Sequence, residues 1–251
     1  MKVTRLNDIE SLLEEQNTLS IDELCNKFNV SKNTIRRDIA ELEKRGTIKK
    51  VYGGIMRNQN SMPEPFFSRE IKNKLRKKEI AKRAASLIDD NDIIYIDSGT
   101  TTMHIVPYLA KKTNLTILTS NVYVINKALQ YPQINVIGTG GTLYRPSNAF
   151  VGANVIHFLR DYNISKALLA ATGFSLENGV TNTSPMESEI KKYLMANSKT
   201  RILLVDSTKE NKVSLVTFAK LEDFDYVVTD KELEPAYETY LKEHGVTLIS
   251  E

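Results

Sequence analysis

Four short turns in the second half of this 251-residue chain combine hydroxyls and glycines in a way that would hold a small polar ligand. They are Asp97-Ser98-Gly99-Thr100-Thr101-Thr102, Thr119-Ser120-Asn121, Gly138-Thr139-Gly140-Gly141 and Asp206-Ser207-Thr208-Lys209. Each follows a short apolar run. The first also opens a stretch of helical length, so its backbone N–H groups and side-chain hydroxyls would converge on an anion such as a phosphate. One such turn is ordinary, because Ser, Thr and Gly also cap helices and form turns. Four at strand ends point to a site.

A different chemistry stands near the N-terminus, in Val30-Ser31-Lys32-Asn33-Thr34-Ile35-Arg36-Arg37-Asp38-Ile39. Ser31 suits an N-cap, and Ile35, Ile39 and Leu42 recur at helical spacing up to Gly46, a helix terminator. The polar face of this helix crowds Ser31, Lys32, Asn33, Thr34, Arg36 and Arg37 into its first turns, where a recognition helix meets base edges and phosphates. Upstream, Ser20 and Glu23 form a capping box for a short helix bearing Leu24, Cys25 and Phe28, while Leu6, Ile9, Leu12 and Leu13 mark an earlier helix. Downstream, Thr47 to Met56 reads as two strands turning at Gly53-Gly54, a basic wing carrying Lys49, Lys50, Tyr52 and Arg57. From Lys32 through Arg57 there are eight Lys or Arg against three Asp or Glu, a patch able to neutralise phosphates. A charge run is commonly only a solvated helix face. The capped helix, basic first turn and basic hairpin in this order favour duplex DNA.

These groups need two kinds of scaffold. The N-terminal residues, 1–57, are expected to form a winged helix-turn-helix, and 251 residues require a further domain of ordinary size. Apolar runs at Ile93–Ile96, Leu115–Leu118, Ile134–Ile137, Ala167–Ala171, Ile202–Val205 and Tyr226–Val228 alternate with helical stretches near 101–111, 122–130, 153–160, 186–197 and 233–243. The pattern predicts an α/β domain with a mostly parallel sheet, whose ligands bind beyond the carboxyl ends of the strands. Residues 58–75 read as a linker, polar and Pro-rich at its start, and 76–251 as the second domain. Lys72 to Arg83 reads as a charged helix whose lysines face either solvent or DNA, with solvent the favoured reading.

Composition bounds the rest. Apolar residues at 41% and charged residues at 26% are those of a globular protein. No run matches a membrane helix or a signal-peptide core, so a cytoplasmic location is expected. Cys25 is the single cysteine and the three histidines, 104, 157 and 244, are scattered; no disulfide or metal site is implied. The net charge of +3 hides an asymmetry, since Lys32 to Arg83 holds sixteen basic and six acidic residues.

Taken with Val51-Tyr52-Gly53-Gly54, Gly140-Gly141, Val151-Gly152 and Val205 to Lys209, these motifs resemble, nearly end to end, the DeoR family of bacterial transcriptional regulators. The resemblance implies a winged helix followed by a sugar-phosphate sensor similar to ribose-5-phosphate isomerase. It implies that Ser98, Gly99, Thr100, Thr101 and Thr102, next to Asp97, hold the effector's phosphate, with Asn121, Gly141, Gly173, Glu187, Asp206 and Lys209 around its polyol end. The wording around Leu24-Cys25-Asn26-Lys27 and Asp97 to Thr102 resembles the inositol-catabolism branch. The expected function is an operator-binding repressor, a homodimer or homotetramer, released by a phosphorylated sugar and needing no cofactor.

The alternative is an isomerase-like enzyme with an appended DNA-binding domain. Against it, Ala171-Thr172-Gly173 places Thr172 where the isomerase motif carries Asp, and threonine is no general base. Glu187 and Asp206 remain as carboxylates, expected to hydrogen-bond sugar hydroxyls. Glu187 and Lys191 read as an i,i+4 surface pair. Tyr144 and Arg145 read either as a lid or as ordinary loop residues.

Overall fold

The computed structural model describes residues 2–16, 18–44, 47–57 and 66–250. The chain divides into two compact units, Met1–Glu64 and Pro65–Glu251. Gly46 and the expected linker segment 58–65 lie outside the described residues.

The first unit runs α1 (Lys2–Gln16), β1 (Thr18–Ser20), α2 (Ile21–Phe28), α3 (Lys32–Lys44), β2 (Ile48–Val51) and β3 (Gly54–Arg57). Its core is Leu6, Ile9, Leu13, Leu24, Ile35, Ile39, Leu42, Ile48 and Ile55, with Cys25 half-buried at its edge. The capping box of Ser20 and Glu23 starts α2, and Asn29 ends it in the left-handed region at φ 49°, a conformation Asn tolerates. The hairpin turns at Gly53, φ 77°. A Cβ on Gly54 would lie 2.3 Å from the Leu19 carbonyl oxygen, so glycine alone lets β3 lie between β1 and β2. The third strand, β1, was not expected; at three residues it has no readable periodicity.

The second unit begins with α4 (Phe66–Ile71) and α5 (Lys74–Ala85), followed by β4 (Ile93–Ile96), β5 (Thr116–Thr119), α6 (Val122–Ala128) and β6 (Asn135–Gly138). A hairpin of β7 (Thr142–Tyr144) and β8 (Ala149–Val151) leads to α7 (Ala153–Leu159), β9 (Lys166–Ala170), β10 (Gly173–Ser175) and β11 (Gly179–Asn182). The chain ends through α8 (Pro185–Asn197), β12 (Thr200–Leu204), β13 (Val216–Ala219), β14 (Tyr226–Val228), α9 (Pro235–Glu243) and β15 (Thr247–Ile249). Residues 66–75, expected in the linker, instead belong to this unit: Phe66 is buried and stacks on Tyr123 at 4.5 Å between ring centres.

Seven strands form one sheet in the order β15-β14-β12-β9-β4-β5-β6, and every pairing is parallel. Strand alternation sends Ile94 and Ile96 into one core layer and Tyr95 into the other. A smaller antiparallel sheet, β10-β11-β13, lies beside the main one in the same unit. The expected helix at 101–111 is two 3-10 turns, Thr102–His104 and Val106–Leu109. Pro107 has no N–H to continue an α-helical ladder, which favours the tighter turns. No helix among the described residues is long and apolar enough to cross a membrane.

Candidate functional site

On α3 the residues divide by face. Ile35, Asp38, Ile39 and Leu42 are buried, whereas Ser31, Lys32, Asn33, Arg36 and Arg37 are exposed and Thr34 is half-buried. Asp38 is held by Arg5 Nε at 2.6 Å, which ties α1 to the middle of α3. Ser31 caps the helix by accepting the Thr34 N–H at 3.3 Å. Lys32 pairs with Asp22 at 2.6 Å and Lys50 pairs with Glu43, while Arg36 and Arg37 form no ion pair among the described residues. In the hairpin, Lys49 is exposed and Tyr52 projects fully into solvent; the Arg57 side chain lies outside the described atoms. The surface is therefore a row of cations and hydroxyls on one face of α3, with further cations on the hairpin.

In the second unit the chain leaves β4 at Asp97 and crosses the neighbouring strand. A Cβ on Gly99 would fall 2.4 Å from Ala170 Cβ, so only glycine passes over β9 there. Asp97 faces inward: its Oδ2 accepts the Ala170 N–H at 3.0 Å and an ion pair from Lys191. Both partners are almost wholly buried, at 3% and 2% exposure. Lys191 also donates to the Ala170 carbonyl at 2.7 Å and lies 5.3 Å from the centre of the Phe218 ring. This corrects the expected Glu187–Lys191 surface pair, since α8 turns Lys191 toward the sheet. Glu187 instead accepts from Ser98 Oγ at 2.5 Å.

The rest of the loop separates scaffold from open donors. Thr102 Oγ1 lies 2.9 Å from the Asp97 carbonyl and 3.0 Å from that of Gly99, so this hydroxyl locks the turn from inside rather than facing a ligand. Thr100 Oγ1 accepts from Lys77 Nζ at 3.0 Å. Lys77 is buried and also donates to the Arg69 carbonyl, an exception on a helix whose Lys74, Lys78 and Lys82 are exposed as expected. Thr101 is buried as well. The N–H groups of Ser98, Gly99, Thr100 and Thr101 donate to no protein acceptor among the described residues. Consecutive N–H groups without a protein acceptor, next to a buried ammonium, are the groups an anion would need.

Several of the other expected site residues also hold the frame. Asn121 caps α6, its Oδ1 accepting the Tyr123 N–H at 2.9 Å while its Nδ2 reaches the Asp97 carbonyl at 3.4 Å. Asp206 caps the turn Ser207–Lys209 and accepts from Thr208 N at 3.2 Å and Asn73 Nδ2 at 3.4 Å. Lys209, half-buried, closes the same turn. Gly173 is a packing glycine, because a Cβ there would meet the Lys212 carbonyl oxygen at 2.3 Å. Gly141 is exposed at φ 115°. Thr172 donates to Asn182 Oδ1 at 3.1 Å. Below the loop, His104 is buried with its Nδ1 3.4 Å from Lys127 Nζ. Burial, then the charge of Lys127, pushes its pKa down to about 4.

Residues 5–61 match the DeoR-like helix-turn-helix domain, and residues 72–231 match the DeoR C-terminal sensor domain. The chain belongs to the DeoR family of transcriptional regulators. This decides between regulator and isomerase in favour of the regulator. The DeoR-family chain is 40% identical over 246 residues to the HTH-type transcriptional regulator IolR of Bacillus subtilis, covering 98% of each. It is 30% identical over 244 residues to the HTH-type transcriptional regulator GolR of Listeria innocua, covering 96% of each. Among solved structures, ribose 5-phosphate isomerase A of Methanocaldococcus jannaschii is similar at TM-score 0.41 and 17% identity, over 55% of each chain.

Proposed function

We propose that this regulator is a cytoplasmic repressor of a sugar or polyol catabolic operon, released from its operator by a phosphorylated intermediate of the same pathway. The observation that carries this reading is the Ser98–Thr101 loop, whose four free N–H groups stand beside the buried Lys77. Such a loop favours a dianion over a neutral sugar, because both the oriented N–H dipoles and the ammonium act on charge. Thr100 and Thr101 are the hydroxyls assigned to the phosphate, and Ser98, whose O–H goes to Glu187, is assigned to it through its N–H. Glu187 and Lys209 are assigned to the remainder of the ligand, and Asp97, Thr102, Asn121, Gly173 and Asp206 to the frame. The sequence around Leu24 to Lys27 and Asp97 to Thr102 supports the inositol-catabolism branch.

On the DNA side, Lys32, Asn33, Arg36 and Arg37 are assigned to the groove and Lys49, Lys50, Tyr52 and Arg57 to the flanking backbone. Two protomers joined through their sensor domains would present two winged helices to symmetric half-sites. A ligand that favours one arrangement of the assembly shifts its population and thereby its operator affinity. Titrating a phosphorylated sugar and its dephosphorylated form against preformed operator complexes tests the reading. Release by the phosphorylated form alone is expected, and equal response to both forms overturns it.

A further inference from the structure

At the end of β11, Asn182 is 8% exposed, and its carboxamide is only half satisfied. Oδ1 accepts from Thr172 Oγ1 at 3.1 Å, while Nδ2 has no partner among the described residues. Turning the amide over would pair the nitrogen with Thr172 and leave the oxygen open. One polar end is unpartnered in either orientation. Buried polar groups are nearly always hydrogen-bonded in folded proteins, so a persistent open one marks a place that a ligand or a bound water completes.

The position of this amide gives the opening a direction. Thr172 lies two residues beyond β9, and Ser98 lies two residues beyond β4, the adjacent parallel strand. The Thr172 N–H donates to the Thr181 carbonyl at 2.9 Å, fixing the exit of β9 against β11. Two residues after Asn182, Ser184 caps α8, whose Glu187 accepts from Ser98. The Thr172–Asn182 pair therefore stands one strand along from the anion loop, on the order of 5 Å across the sheet.

We infer that Asn182, steadied by Thr172, reads a hydroxyl of the effector at the end away from its phosphate. This rests on the phosphate reading of the Ser98–Thr101 loop. A hydroxyl is both donor and acceptor, so it completes the amide in either orientation. A second anionic group would instead meet the Glu187 carboxylate on the first turn of α8. The ligand class is accordingly a sugar or polyol monophosphate with a free hydroxyl at this position. The analogue lacking it is rejected because the buried amide is then left unpaired.

The test uses the full-length protein and two probes, inorganic phosphate and a panel of pentose, hexose and polyol monophosphates with their deoxy analogues, read by thermal shift. Wild type is expected to respond to phosphate and more strongly to at least one hydroxylated monophosphate. Asn182→Ala is expected to keep the phosphate response and to lose about tenfold or more in apparent affinity for that monophosphate. Its affinity for the deoxy analogue is expected to stay at the wild-type value. Wild-type affinity of Asn182→Ala for every monophosphate overturns the hydroxyl assignment and leaves the loop reading intact. Failure of wild type to respond to any phosphorylated probe overturns the loop reading and this assignment with it. Should Asn182→Ala not fold, Thr172→Val removes the steadying hydroxyl with little change in volume. The same selective loss supports the assignment there, and an unaltered response overturns it.

Discussion

Lys77 Nζ donates to Thr100 Oγ1 at 3.0 Å and to the carbonyl of Arg69, so one buried ammonium joins the anion loop to α4, the first helix of the sensor unit. A phosphate on the loop would draw that ammonium toward itself and compete with the Arg69 carbonyl, which gives ligand binding a route to α4. Lys77→Met keeps the length and apolar stem of the side chain while deleting the charge. Effector affinity is expected to fall ten- to a hundred-fold, the value of about 1.5 to 3 kcal/mol for one charge-assisted hydrogen bond. Operator binding without effector should persist, giving a repressor that stays on DNA at ligand concentrations that release wild type. A gel-shift titration at fixed salt reads this, and release at the wild-type concentration removes Lys77 from the site.

The Asp97–Lys191 ion pair anchors the same loop from below. Removing one partner leaves the other charge buried, so Asp97→Ala and Lys191→Met are each expected to cost roughly 3 to 5 kcal/mol. Asp97→Asn combined with Lys191→Met leaves no buried charge and should recover part of that loss. Urea unfolding of the three variants, followed by circular dichroism in the sensor transition, provides the comparison. A single-variant cost below about 1 kcal/mol would contradict the role of this pair as the anchor.

Why these two lysines escaped the sequence reading is a matter of side-chain length. Lys77 and Lys191 lie on helices rich in charged neighbours, where a solvated face is the commonest arrangement. Their burial depends on carboxylate, hydroxyl and carbonyl partners brought in from other elements: Asp97, Thr100, Arg69 and Ala170. The glycine-hydroxyl turns, by contrast, were legible because parallel topology places every strand end on one edge, and six of the seven sheet strands had apolar runs. What separated ligand-facing from scaffold groups within those turns was not legible. Thr102 and Asn121 have the residue types of ligand-binding groups, yet each turns its polar atoms to backbone groups of its own loop or the next. The three-residue strands β1, β10 and β15 were too short for a period-2 pattern.

His104 provides a pH test of the packing beneath the loop. It is buried near Lys127, Lys77, Lys74 and Glu70, and its pKa is lowered to about 4 from an ordinary 6.5. Between those values the unfolded chain binds a proton that the folded protein does not, so this group's contribution is present above pH 6.5 and is lost as pH falls toward 4. The full loss is on the order of 3 kcal/mol. His104→Gln, which does not titrate, should lose less stability than wild type between pH 7 and pH 4.5. Parallel losses in urea melts at the two pH values would remove His104 as the cause.

The operator-facing assignment rests on contrast within one surface. Arg36 and Arg37 are exposed, on the face of α3 opposite its buried residues, so Arg36→Ala combined with Arg37→Ala should leave the winged helix folded while weakening operator binding a hundred-fold or more, on the order of 3 kcal/mol. Lys49 and Lys50 stand on the hairpin, with Lys50 paired to Glu43. Replacing both by Ala is expected to weaken binding to all sequences alike and to lower the log affinity against log salt slope by about 0.9 for each phosphate that is no longer neutralised. Binding curves over a salt series, on the operator and on a scrambled duplex, separate the two roles. If the arginine pair changes only the salt slope while the lysine pair changes which sequence is preferred, base reading belongs to the hairpin and α3 holds the backbone. A folded double-arginine variant that binds operator as wild type does would remove α3 from the interface altogether.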